Sequence, residues 1–201
     1  MQKKQIDHFF RVLSEELDLA TSVILTGAAA GALMGQVRPS MDIDFAIKSN
    51  FSHPSAWREI DKAIERTMKK TGIHAEFSED IDRWGMISLL DYEKKAWFYK
   101  KFKNLRLLVM DPSYWAIGKM TRYIDPDIQD MVSVFKKQKT SWKKLIQVWS
   151  TALRKSPKST TQQTFFKHVE HFFQSQGRKI WGKSFMTTQA IEFWNHQLHL
   201  K

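Results

Sequence analysis

Asp42 and Asp44 stand one residue apart at the end of GAAAGALMGQVRPSMDID, residues 27–44, behind a loop built of glycine and alanine. Alternate residues of a strand share one face, roughly 6.5–7 Å apart, so both carboxylates can converge on one cation or on two. Like charges that close repel, and a cation among them relieves the repulsion. Magnesium takes oxygen ligands and keeps substrate phosphates among them, so a few carboxylates suffice. In two-ion phosphoryl chemistry the ions sit about 3.5–4 Å apart. The third acid expected is Glu76. In GIHAEFSED it alternates with Ile73, Ala75 and Phe77 and shares the polar face with His74 and Ser78. Gly27 lets the backbone approach a phosphate, and amides at the start of the following helix can donate to it. The chemistry these residues compose is magnesium-assisted handling of a nucleoside triphosphate.

The elements that must position them follow from pattern. Ser22–Gly27 reads as a short buried strand and Gly27–Met34 as a helix. MDIDFAI alternates, with Ile43, Phe45 and Ile47 opposite the acids. Trp57, Ile60, Ile64 and Met68 form a helical stripe over Pro54–Thr71, opened by Ser52 or His53. An amphipathic helix ending near Leu19 precedes them. Met86–Leu90 and Leu105–Met110 read as strands, and KKAWFYKKF between them as strand or hairpin. Asp111-Pro112 and Asp125-Pro126 each open a helix, with Asp as cap. From Thr140 onward the stripes are helical only, through Trp142–Leu153, Phe165–Phe173 and Ile191–Leu198. The expectation is an α+β fold: a mixed β-sheet flanked by helices over residues 1–140, followed by a small basic helical subdomain over 141–201.

Composition narrows the partners. The chain has 201 residues, no cysteine and a net charge of +11. Thiolate metal sites and disulfides are excluded, and a cytoplasmic location is expected. The amino-terminal helix pattern is unlike a signal peptide, and the most apolar run, Val23–Gly35, is too short to cross a bilayer, so no membrane association is expected. The charge excess lies in residues 136–201, where thirteen basic residues meet only Glu170 and Glu192. That third either holds a polyanion such as RNA or is a solvated face. Within it, GRKIWGKSF (Arg178, Lys179, Trp181, Lys183) could stack on a base. His168 and His171 are either a metal pair lacking a third ligand or helix-surface histidines.

The stretch 27–44 resembles the signature of the nucleotidyltransferase superfamily with the polymerase β-like fold. More narrowly, it is similar to a bacterial branch related to toxin nucleotidyltransferases of abortive-infection systems, whose pattern is G-G-x-A-x-x-x-x-G-x-x-R-x-T-x-D-I-D. Gly27, Ala30, Gly35, Arg38, Asp42, Ile43 and Asp44 match in register, and Ser40 stands where Thr is usual. Ala28 departs from the second glycine or serine, losing a hydroxyl but keeping its backbone N–H. The likeness continues through LLVMDPSYWAIGKMTRYIDPDIQD, with Lys119 followed by an R-x-x-D-x-D-x-x-D run, and spans about residues 20–137.

What the resemblance implies is transfer of an NMP group from an NTP such as ATP to an acceptor hydroxyl, with one or two Mg²⁺ ions on Asp42, Asp44 and Glu76. Gly27, Ala28, Arg38 and Ser40 would line the nucleotide site, Arg38 either touching phosphate or orienting Asp42. Lys119 and Arg122 would reach the triphosphate, or else form local ion pairs with Asp125, Asp127 and Asp130. The implied acceptor is RNA or tRNA, with a protein or small molecule as alternatives. A toxin–antitoxin or phage-defence setting with a protein antitoxin is implied by the likeness alone. The competing expectation is a degenerate member that binds nucleotide or nucleic acid without chemistry.

Overall fold

The computed structural model describes residues 1–35, 41–48, 54–78 and 86–199. Helix α1 (Lys3–Glu16) leads into strand β1 (Thr21–Leu25), helix α2 (Gly27–Met34), strand β2 (Asp42–Lys48), helix α3 (Pro54–Thr71) and strand β3 (His74–Ser78). Strands β4 (Trp97–Phe102) and β5 (Leu105–Val109) form a hairpin. Five helices follow: α4 (Pro112–Arg122), α5 (Asp125–Lys137), α6 (Trp142–Lys155), α7 (Thr160–Trp181) and α8 (Thr187–His199). The chain divides into two compact units. The first comprises Met1–Leu33, Arg38–Ile81 and Glu93–Met110, and the second Met34–Val37, Asp82–Tyr92 and Asp111–Lys201. The division at Met110–Asp111 precedes the change of texture at Thr140.

The first unit is built on a mixed five-stranded sheet of order β3-β2-β1-β5-β4. β1 runs antiparallel to β2 and parallel to β5, β2 runs parallel to β3, and β4 closes the edge antiparallel to β5. Alternation in β2 sends Ile43, Phe45 and Ile47 into the core, each no more than 2% exposed. Phe45 meets Phe10 edge-on at 5.5 Å and stacks on Phe77 at 5.8 Å, so α1 packs on this face through Phe9 and Phe10. Burying rings of this size contributes about 2–3 kcal/mol each, enough to decide which face of β2 turns inward. The acids are thereby held on the other face. Arg66 and Lys70 of α3 both reach Glu16, tying α3 to α1.

The second unit is an aromatic-cored helix cluster. Trp149, Phe135, Phe165, Phe172, Phe173 and Trp194 are fully buried, and the Trp149 indole N–H donates to the Ser113 carbonyl at 2.9 Å. Asp111 caps α4 by accepting from the Ser113 amide, as Asp-Pro predicts. α5 differs: Ile124 is its cap residue, and Asp125 lies inside the first turn, where its charge favours the helix N-terminus. Residues 86–89 form a 3-10 turn, not the strand that their apolar content predicts. A run that short cannot distinguish the two by periodicity. α7 starts at Thr160, so the polar TTQQ forms its first turn. α1 stops at Glu16, with Leu17 already extended, three residues before the expected end. The expected cap of α3, Ser52 or His53, lies outside the described residues.

Candidate metal centre

Three consecutive features of the first unit converge. Strand β1 ends at Leu25 opposite Phe45, and the Thr26 amide then donates to the Asp44 carbonyl at 3.0 Å. That bond sets Gly27 beside Asp44 as the chain turns into α2. Gly27 has a φ of +55°, and a Cβ built on it would lie 1.7 Å from the Asp44 Oδ2. Only a residue without a side chain fits there. Thr26 was not singled out from the sequence; its role is visible only in the register.

The β2–β3 register does the rest. Asp42 stands opposite His74 and Asp44 opposite Glu76 in a parallel pair, so the polar faces of both strands coincide. One carboxylate oxygen from each of Asp42, Asp44 and Glu76 lies within 4.8 Å of the other two. The two aspartates are half-buried and Glu76 is exposed. The donor set is oxygen only, which suits a hard divalent cation. In an octahedral magnesium site neighbouring ligand oxygens stand about 3 Å apart and opposite ones about 4.2 Å, so the three carboxylates lie near the span that one ion requires. A Cβ at position 27 would fill the space that the Asp44 carboxylate uses. The residues present therefore fit the ion.

The other sequence-predicted residues fall in different places. Ala28 sits in the first turn of α2, and its side chain carries no donor. Arg38 and Ser40 lie outside the described residues. Lys119 and Arg122 belong to the second unit. The Lys119 ammonium is buried between Asp130 (2.7 Å) and Asp127 (3.1 Å) and lies 5.0 Å from the Trp115 ring centroid. Arg122 makes a two-pronged contact with Asp127 at 3.0 Å each. Burial opposes ionisation of Asp127, but the Arg122 and Lys119 contacts outweigh it and hold the carboxyl below its ordinary range. Of the two readings of this pair, the local ion-pair set is the arrangement present.

Trp181 is a packing residue. It stacks on Phe173 at 5.7 Å and lies tilted against Phe185 at 5.0 Å, and its N–H donates to the Thr140 carbonyl. His168 bonds the Met120 carbonyl through Nδ1 at 2.9 Å and stacks on Tyr123. His171 Nδ1 pairs with the Tyr123 hydroxyl at 2.8 Å. Both histidines are thus used within the helical unit.

Comparison with known proteins returned no match. No family model, no curated protein and no solved structure resembles this chain closely enough to count, so no family assignment stands beside the geometry. Among the described residues no helix is long and apolar enough to cross a membrane.

Proposed function

We infer that the first unit is a magnesium-dependent nucleotidyltransferase, moving an NMP group from an NTP to an acceptor hydroxyl. The observation that carries this reading is the meeting of Asp42, Asp44 and Glu76 beside Gly27. Asp42, Asp44 and Glu76 would hold the ion, which when bound neutralises triphosphate charge and orients the α-phosphorus. Gly27 leaves room for the Asp44 carboxylate at the start of α2, and amides in the first turn of that helix would donate to a phosphate. The acceptor oxygen forms its bond to the α-phosphorus while the bond to pyrophosphate breaks. The hydroxyl proton passes to a carboxylate oxygen of Asp44 or Glu76. The chain contributes position and charge, and no covalent intermediate is needed. The acceptor class proposed is RNA, in keeping with the basic residues after position 135.

Ala28 favours a second reading, a binding module of the same fold without chemistry, since it offers no hydroxyl at the helix start. One experiment separates the two. The purified protein is incubated with Mg²⁺, each of the four α-labelled NTPs, and RNA or protein acceptors. Label transferred by the wild type and lost in Asp44→Asn supports the enzyme. No transfer with any NTP, together with retained nucleotide binding, supports the module.

A further inference from the structure

The β4–β5 hairpin carries a surface that the carboxylate cluster does not use. Between Glu93 and Arg106 there are six basic residues (Lys94, Lys95, Lys100, Lys101, Lys103 and Arg106) and one acid, Glu93. Glu93 is paired with Lys48 at 2.6 Å, and Lys100 with Asp7 at 3.0 Å. Lys101 and Arg106 stand opposite each other across the hairpin, both exposed. Phe98, opposite Leu108, is 55% exposed, whereas Trp97, opposite Val109, turns to the other face of the sheet and meets Tyr99 edge-on at 6.3 Å. Leu108 pairs with Ile24, and Ile24 with Ala46, two residues from Asp44 on β2. Phe98, Lys101 and Arg106 therefore share the sheet face that bears Asp42 and Asp44.

Edge strands are normally shielded from pairing with another chain by lysines and bulges. β4 has both, with a register shift between Phe98 and Lys100. Shielding alone gives no reason to leave a phenylalanine in solvent beside Lys101 and Arg106. An exposed ring beside cations is what single-stranded nucleic acid needs, since a base stacks on the ring and phosphates pair with the charges. A protein strand would have to pair along an edge that the bulge breaks. We propose that the β4–β5 hairpin is a single-stranded RNA platform, with Phe98 stacking a base and Lys101 and Arg106 holding flanking phosphates. It goes beyond the proposed transfer reaction and stands on residues that reaction does not require.

The test is binding of a fluorescein-labelled 12-nucleotide single-stranded RNA to the full chain, by anisotropy across a salt series, with EDTA present and no NTP. Phe98→Ala should weaken binding about tenfold with the salt slope unchanged. Lys101→Glu combined with Arg106→Glu should weaken binding and lower the slope by about 1.4, the share of two phosphates. Lys69→Glu, an exposed charge on α3, should stay within about twofold of wild type. Melting temperatures of the variants report that each is folded. No binding by the wild type, equal binding by every variant, or an equal loss in Lys69→Glu overturns the proposal. So does a dimer in light scattering that Phe98→Ala converts to monomer, which would assign the edge to a second copy of the chain. Because the assay holds no triphosphate, its failure leaves the transfer reaction standing, and failure of the labelling experiment leaves the platform standing.

Discussion

The Cα of Gly27 rests against the carboxylate of Asp44. A methyl group there would come within 1.7 Å of Oδ2 and 2.6 Å of Cγ. Gly27→Ala must therefore displace Asp44 or the start of α2, and it adds the strain of a left-handed residue with a side chain. We expect a loss of about 1–3 kcal/mol, read as a fall in Tm of about 3–10 °C, together with loss of nucleotide labelling. A Gly27→Ala protein that melts and labels as the wild type does would contradict the contact.

Ligand linkage tests the carboxylate cluster without turnover. A ligand that binds only the folded state stabilises it by about 2.7 kcal/mol at a hundred times its Kd. Thermal denaturation with Mg²⁺ and a non-hydrolysable NTP should show a higher Tm than with EDTA. Asp42→Asn and Asp44→Asn should each remove the increment. An increment that survives both substitutions places the ion elsewhere.

Ala28 is the place where chemistry can be added. Ala28→Ser puts a hydroxyl in the first turn of α2, beside Gly27. One new hydrogen bond to phosphate should tighten triphosphate binding about two- to tenfold, measured by titration calorimetry. Unchanged affinity would mean that the phosphates do not reach this turn.

Lys119 sits between two acids that are themselves buried, Asp127 at 0% and Asp130 at 2% exposure. Lys119→Met leaves those carboxylates without the central cation. The expected cost is about 3–5 kcal/mol, measured by urea unfolding. A variant as stable as the wild type would assign Lys119 to ligand binding alone.

Acid should weaken the fold through the same residues. Asp127 is held below its ordinary 3.8 because Arg122 and Lys119 outweigh its burial, and Glu16 below 4.5 by the hydrogen bonds from Lys70 and Arg66. A carboxyl whose value falls on folding contributes stability that is complete above its unfolded value. That stability is lost as pH drops through the lower, folded one. Urea midpoints should thus be flat from pH 7 to about 5 and decline steeply below 4. Asp127→Asn should start lower and decline less. An equal decline in both proteins would remove Asp127 from the acid response.

Much of the first unit was legible in the chain. Alternation in MDIDF and IHAEF names the inward and outward residues of β2 and β3, because side chains on a strand have a period of two and large apolar rings leave water at the largest gain. Ala46, on the acid-bearing face, is buried as well. Asp-Pro marked both α4 and α5, since proline is tolerated only in a first turn. Residues 86–89 turn instead of extending, and Met-Ile-Ser-Leu is too short a run to carry a period that would tell the two apart. The exposure of Phe98 on β4 was not legible, because it depends on what packs beside the strand, and WFYKKF reads like any amphipathic hairpin.

Residue types and spacings alone determined that Asp42 and Asp44 share a face, that glycine stands before the helix, and that the positive charge gathers in the last third. Tertiary structure alone decided that Glu76 lies beside Asp44, that Gly27 abuts its carboxylate, and that Lys119 is consumed by Asp127 and Asp130. The reason is that period fixes neighbours within one element, whereas register between strands and packing between helices set distances among residues far apart in the chain.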